Sequence, residues 1–131
     1  MGDEKLKILL VDDDEIQHSI VTNMLSDEYD FFCAKSGNEA LTCLYNSGFV
    51  PNIVLLDILM PEMDGWEVFN RIRAITLLKN VPIVFITSMN EATDEERAFE
   101  LGAADFIQKP YDKDNLLSRI KKALEKRSAN L

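Results

Sequence analysis

Three kinds of side chain capable of phosphoryl chemistry recur at the ends of strand-like runs. Asp12 and Asp13 follow Leu6-Lys-Ile-Leu-Leu-Val11, Asp57 follows Ile53-Val-Leu-Leu56, Thr87 follows Ile83-Val-Phe-Ile86, and Lys109 follows Asp105-Phe-Ile-Gln108. Carboxylates gathered in one pocket cannot all stay ionised without a counter-charge, because like charges raise one another's pKa. A hard divalent cation, Mg²⁺ or Mn²⁺, resolves this with carboxylate, carbonyl and water ligands. An ammonium (Lys109) and a hydroxyl (Thr87) complete a cradle for a phosphoryl group. Asp57 is then the nucleophile, since a carboxylate can carry a phosphoryl group as an acyl phosphate. Each residue alone has an ordinary explanation as a cap or surface group. Their recurrence at successive strand ends is what carries the chemistry.

The elements that must position them read as five βα units. An unbroken apolar run such as Ile53–Leu56, with Pro51 before it and Pro61 after it, fits a strand buried on both faces of a parallel sheet. Strands are expected over Leu6–Val11, Tyr29–Ala34, Ile53–Leu56, Ile83–Ile86 and Asp105–Gln108. Between them the apolar period changes to that of a helix. The first helix, from Glu15 to near Asp27, is expected to bury Ile16, Ile20, Met24 and Leu25. Ser36-Gly-Asn-Glu39 has the spacing of a capping box and opens a second helix, with Ala40, Leu41 and Leu44 buried, that Gly48 stops. Asp64-Gly-Trp-Glu67 repeats the capping pattern for a third, which buries Val68, Phe69, Ile72 and Ile75. Lys79–Pro82 reads as a turn, and Thr93-Asp-Glu-Glu96 starts a fourth helix closed by Gly102. The fifth is capped by Asp112 and buries Leu116, Leu117, Ile120, Ala123 and Leu124. Lys121, Lys122, Lys126 and Arg127 suit its C-terminal dipole, and Ser128–Leu131 is expected as a tail.

Right-handed crossovers place such helices on both faces of one sheet and all strand carboxyl ends on one edge, where open α/β sheets hold their ligands. If the first and third strands are neighbours, Asp12, Asp13 and Asp57 converge. The 131 residues suffice for one domain with a real core. The formal net charge of −9 argues against nucleic acid or an anionic membrane as the main partner. No apolar run approaches the length of a membrane span, and the N-terminus lacks the apolar core of a signal peptide. Cys33 and Cys43 fall at apolar positions and read as small core residues of a reducing, cytoplasmic compartment.

Val11-Asp12-Asp13, Asp57-x-x-Met60-Pro61-x-Met63-Asp64-Gly65, Thr87-Ser88 and Lys109-Pro110 together resemble the receiver domain of two-component response regulators. The resemblance covers about Lys5 to Lys126, within a single domain over residues 1–131. It implies a doubly wound (βα)5 fold with a five-stranded parallel sheet in the flavodoxin-like order 2-1-3-4-5. It implies that Asp57 accepts a phosphoryl group from the phosphohistidine of a histidine kinase or phosphotransfer protein. Asp13, Asp57 and the Leu59 backbone carbonyl would ligate the metal, with Asp12 acting through a bound water. Lys109 would contact phosphoryl oxygen, Thr87 would move toward it, Phe106 would be the aromatic switch residue, its ring turning inward, and Lys109–Pro110 would be cis. Leu59 and Met89 stand where relatives often carry polar groups that place the hydrolytic water, which implies slow self-dephosphorylation. Signalling would run through the face of the fourth helix, fifth strand and fifth helix, toward an output protein or domain or a second copy of the chain. Neither nucleic acid nor membrane is an expected direct contact. The resemblance fits a stand-alone regulator and a receiver within a longer chain equally.

Two other readings compete. A haloacid-dehalogenase-type phosphohydrolase needs an Asp-x-Asp-x-Thr motif after the first strand, but Ile16 stands at the Thr position and the Asp57 motif is left unexplained. A flavodoxin-like cofactor binder needs a hydroxyl- and glycine-rich phosphate loop where this chain has three acids. Of the remaining residues, His18 is expected at an exposed helical position, Trp66 and the methionines at 60 and 63 as packing, and Glu91–Glu100 as a solvated acidic face.

Overall fold

The computed structural model of the chain describes residues 4–129. Asn130, Leu131 and the side chains of residues 127–129 lie outside what it describes. Eleven elements follow in order: β1 (Leu6–Val11), α1 (Glu15–Leu25), β2 (Tyr29–Ala34), α2 (Gly37–Asn46), β3 (Ile53–Leu56), α3 (Gly65–Arg73), a 3₁₀ turn (Thr76–Leu78), β4 (Ile83–Thr87), α4 (Ala92–Leu101), β5 (Asp105–Gln108) and α5 (Lys113–Ala129). The strands form one sheet in the order β2-β1-β3-β4-β5, with every pair parallel.

The apolar runs explain the layering. Alternate side chains of a strand face opposite sides, so Leu9 and Val11 of β1 join one core while Ile8 and Leu10 join the other. The first core takes Ala40, Leu41 and Leu44 of α2, Val68, Phe69 and Ile72 of α3, and Ala98 of α4. The second takes Val21 and Leu25 of α1 with Leu116, Ile120 and Ala123 of α5. Cys43 is buried, and Cys33 packs, half-buried, against the second core; both are free thiols.

Capping residues set the helix starts. Ser36 Oγ accepts the Glu39 amide, Asp64 Oδ1 accepts that of Glu67, and Asp112 Oδ1 accepts that of Asn115. Asp14 caps α1 through the Ile16 amide. Each cap satisfies amides the helix cannot, worth about 1 kcal/mol.

Several expectations fail. In α1, Leu25 is buried as expected, but Val21 joins it; Met24 is half-buried, and Ile16 and Ile20 stay 67% and 37% exposed. Adjacent stripes on a helix share the same period, so spacing cannot choose between them, and packing against α5 does. The third helix stops at Arg73, and the 3₁₀ turn follows, so Ile75 packs on the core from outside any helix. Glu91 precedes α4 as its N-cap, two residues before the expected start. Ser128 and Ala129 of the expected tail continue α5.

Candidate functional site

Parallel pairing puts the β1, β3, β4 and β5 carboxyl ends side by side. Val11 is in register with Leu56, Leu56 with Phe85, and Thr87 with Gln108. The next residues, Asp12, Asp57 and Lys109, therefore emerge on one edge. The Asp57 amide donates to Val11 O at 2.9 Å, and the Lys109 amide donates to Thr87 O at 2.8 Å. Among the described residues the buried polar side chains are Asp12, Asp57 and Thr87, at 3%, 7% and 0% exposure. Desolvating such groups is costly unless partners compensate. Their coincidence on one edge marks the site.

The partners are specific. Lys109 Nζ lies 2.9 Å from Asp12 Oδ2 and 3.6 Å from Asp57 Oδ2. Asp12 Oδ1 accepts the Asp14 amide at 2.9 Å, and Asp57 Oδ1 accepts the Ile58 amide at 2.8 Å. Thr87 Oγ1 accepts the Met89 amide at 3.2 Å. Burial pushes the Asp57 carboxyl up to about 6 from the ordinary 3.8. Lys109 and the Ile58 amide oppose that rise, while the Asp12 and Asp13 charges add to it. Burial, with the Asp12 charge behind it, also pushes the Tyr111 hydroxyl up to about 12.

One oxygen from each of Asp12, Asp13 and Asp57 lies within 4.8 Å of the others. Oxygen ligands of an octahedral Mg²⁺ at about 2.1 Å lie about 3–4 Å apart. Three carboxylates at this spacing, one of them acting through a water, therefore fit a hard divalent cation. Asp13 is exposed, so an ion has access from solvent.

The supporting positions lie around this cluster. Leu59 is 58% exposed, Met89 packs half-buried against the first core, and Phe106 is 2% exposed. The Phe106 ring, expected to turn inward on activation, is thus already inside, opposite Phe85 in the β4–β5 register. Pro110 is exposed, and the Lys109–Pro110 peptide is cis.

Three contributors have roles that the sequence does not show. His18 is half-buried rather than exposed, with Nε2 2.7 Å from Asp12 O. The Ile58 amide is a backbone donor and leaves no side-chain signal. Gly65 does more than follow a cap: its amide donates to Ile58 O at 2.8 Å. A Cβ at Gly65 would lie 2.2 Å from Asp57 O and 2.7 Å from Ile58 Cα. Gly65→Ala is therefore expected to lower stability by at least about 2 kcal/mol, since backbone on both sides must move. Urea unfolding checks it, and an unchanged midpoint would show that the loop yields freely.

A sequence model of the response regulator receiver domain matches residues 8–121. The chain belongs to the response regulator receiver family. The transcriptional regulatory protein CrdR of Helicobacter pylori is 39% identical over 117 residues, 88% of this chain and 54% of CrdR. A probable cyclic di-GMP phosphodiesterase of Vibrio cholerae is 38% identical over 125 residues, 95% of this chain and 28% of that protein. The receiver thus spans about half of one curated relative and about a quarter of the other. Among solved structures, a CheY-like receiver protein of Methanospirillum hungatei superimposes with a TM-score of 0.87 at 25% identity, covering 98% of this chain and all of that one. The non-phosphorylated HemR receiver domain of Leptospira biflexa gives 0.79 at 33% identity, covering 92% and 94%. Receivers of this family are signalling switches with an acidic metal site, and here Asp12, Asp13 and Asp57 form the acidic cluster. No described helix is long and apolar enough to cross a membrane.

Proposed function

We propose that this receiver is the phosphoacceptor switch of a two-component phosphorelay, with Asp57 taking a phosphoryl group from the phosphohistidine of a histidine kinase or phosphotransfer protein. The observation that carries the reading is buried Asp57, turned toward Lys109 and ringed by two further carboxylates. With a carboxyl pKa of about 6, Asp57 is mostly ionised at neutral pH and can act as nucleophile. An Asp57 oxygen bonds to phosphorus, the phosphorus–nitrogen bond breaks, and its electron pair returns to the imidazole, which takes a proton. The Ile58 amide orients the carboxylate and Lys109 receives charge on the transferring oxygens. Asp13, Asp57 and the Leu59 carbonyl would hold Mg²⁺ (or Mn²⁺), with Asp12 through a water; when bound, the ion neutralises the carboxylates and the incoming phosphoryl charge.

The exposed side chains of Ile20 and Pro110 line a groove with Lys109 and offer a seat for the phosphodonor partner. Thr87 leaves the Met89 amide to reach the phosphoryl group, and that movement, with Phe106 beside it, biases the α4–β5–α5 face toward a downstream partner. That partner is an output protein, an output domain or a second copy of the receiver. The receiver acts in the cytoplasm as a switch rather than a turnover enzyme. The dehalogenase-type alternative is disfavoured because Asp14, its second acid, is spent on capping α1.

Incubation with acetyl phosphate, with and without Mg²⁺, tests the reading by intact mass. One phosphoryl group gained only with Mg²⁺ supports it; no gain under any divalent cation ends it. Decay of the label supplies a separate prediction. Exposed Leu59 and half-buried Met89 carry no polar group to hold a hydrolytic water. The acyl phosphate is expected at the long-lived end of the family, and Leu59→Asn should shorten its life. Loss within the dead time of desalting would contradict this.

A further inference from the structure

Helix α4 is weakly anchored on its outer face. Its N-cap, Glu91, makes no side-chain cap bond, and Ala98 is its single buried residue. Phe99 and Leu101 remain 48% and 36% exposed. By contrast, α3 buries Gly65, Trp66, Val68, Phe69 and Ile72. The one cation of α4, Arg97, sits among Asp94, Glu95, Glu96 and Glu100. Asp94 and Glu100 stand three residues to either side, the spacing at which helical charges pair. No ion pair to Arg97 occurs among the described residues. Its guanidinium lies over the Trp66 ring instead, with Cζ 4.2 Å from the centroid.

Trp66 is fixed where parts of the site meet. It follows Gly65, which is locked against the Asp57 and Ile58 backbone. Its ring packs on Phe85 of β4 at 5.0 Å, two residues before Thr87. On the other side, Thr87 Oγ1 holds the Met89 amide, in the loop that leads into α4. A Thr87 drawn toward Asp57 releases Met89 and frees the start of α4, while the indole stays with the Asp57 loop. Relative movement of the two elements then falls on the Arg97–Trp66 contact.

We propose that Arg97 over Trp66 is a latch: it holds α4 in the unphosphorylated position, and its release is a step by which the site reaches the output face. This rests on the phosphoacceptor reading above. Arg97 is a positioning residue and touches none of the reacting groups. The latch opposes switching, so removing it makes switching easier.

The test compares wild type with Arg97→Met, which keeps an apolar stem without the charge, and Arg97→Lys, which keeps the charge. Amide exchange across Ala92–Leu101 and the initial rate of Mg²⁺-dependent labelling by acetyl phosphate are read for each. Arg97→Met is expected to raise both by about two- to five-fold, the scale of one exposed cation–π contact, and Arg97→Lys to restore most of the wild-type behaviour. Faster exchange with an unchanged labelling rate makes the contact merely structural and overturns the latch. Unchanged exchange overturns it as well. A wild-type chain that takes no label overturns the phosphoacceptor reading and the latch's switching role with it, whereas normal wild-type labelling beside an inert Arg97→Met overturns the latch alone.

Discussion

Asp57→Asn is expected to take no phosphoryl group from acetyl phosphate at any Mg²⁺ concentration, and to be the more stable chain when no metal is present. The first half follows from chemistry, since an amide oxygen at this position cannot form the acyl phosphate. The second follows from the field around Asp57. Its folded-state pKa, about 6, lies above the ordinary 3.8. A carboxyl raised in this way binds its proton more tightly folded than unfolded. Stability therefore falls as pH rises from about 4 through 6, and the full penalty is present at neutral pH. About two pKa units correspond to a penalty approaching 3 kcal/mol. Asn carries no charge to desolvate, so the variant should gain on wild type by up to that amount at pH 7 and by little near pH 4. Saturating Mg²⁺ should narrow the gap by stabilising wild type. Denaturant unfolding with chelator at both pH values, paired with intact mass after acetyl phosphate, checks each half. A variant less stable than wild type at pH 7 would mean that Lys109 already compensates Asp57 fully.

Lys109→Met should separate metal binding from phosphoryl transfer. Lys109 Nζ stands 2.9 Å from Asp12 and 3.6 Å from Asp57, within the space of a cation between the acids. Without it the three carboxylates lose their internal counter-charge, and Mg²⁺ should bind more tightly. Transfer should nonetheless slow by about 10²- to 10³-fold, the usual effect of losing one preorganised group that receives developing charge. Trp66, the only tryptophan, packs one residue after Gly65 and offers a fluorescence signal for the titration. Weaker Mg²⁺ binding together with slower transfer would assign Lys109 to holding the loop rather than to the phosphoryl group.

Much of the scaffold follows from local rules. Four-residue apolar runs bounded by Pro or polar residues dictate buried parallel strands, and Ser36, Asp64 and Asp112 mark helix starts because their side chains satisfy free amides. Apolar runs and period-3.6 patterns locate elements well, yet the helical period leaves rotation undetermined. In α1 the Ile16–Ile20 and Val21–Leu25 stripes have equal spacing, and contact with the second core buries the latter. Ile20, left exposed, lines a groove beside Lys109.

Residue types and apolar runs alone pick out the groups able to do the chemistry and place each at a strand end: Asp12, Asp13, Asp57, Thr87 and Lys109. Strand order, a tertiary property, decided whether they meet. Pairing of β1 with β3 brings Asp12 beside Asp57, and pairing of β4 with β5 carries Lys109 back across 97 residues of chain to Asp12. Only packing could turn His18 onto Asp12 O, press Gly65 against the Asp57 peptide and lay Arg97 on Trp66. Such contacts join residues through the rotation of helices about their axes, which hydrophobic spacing fixes only to within a neighbouring stripe and burial against the sheet then selects.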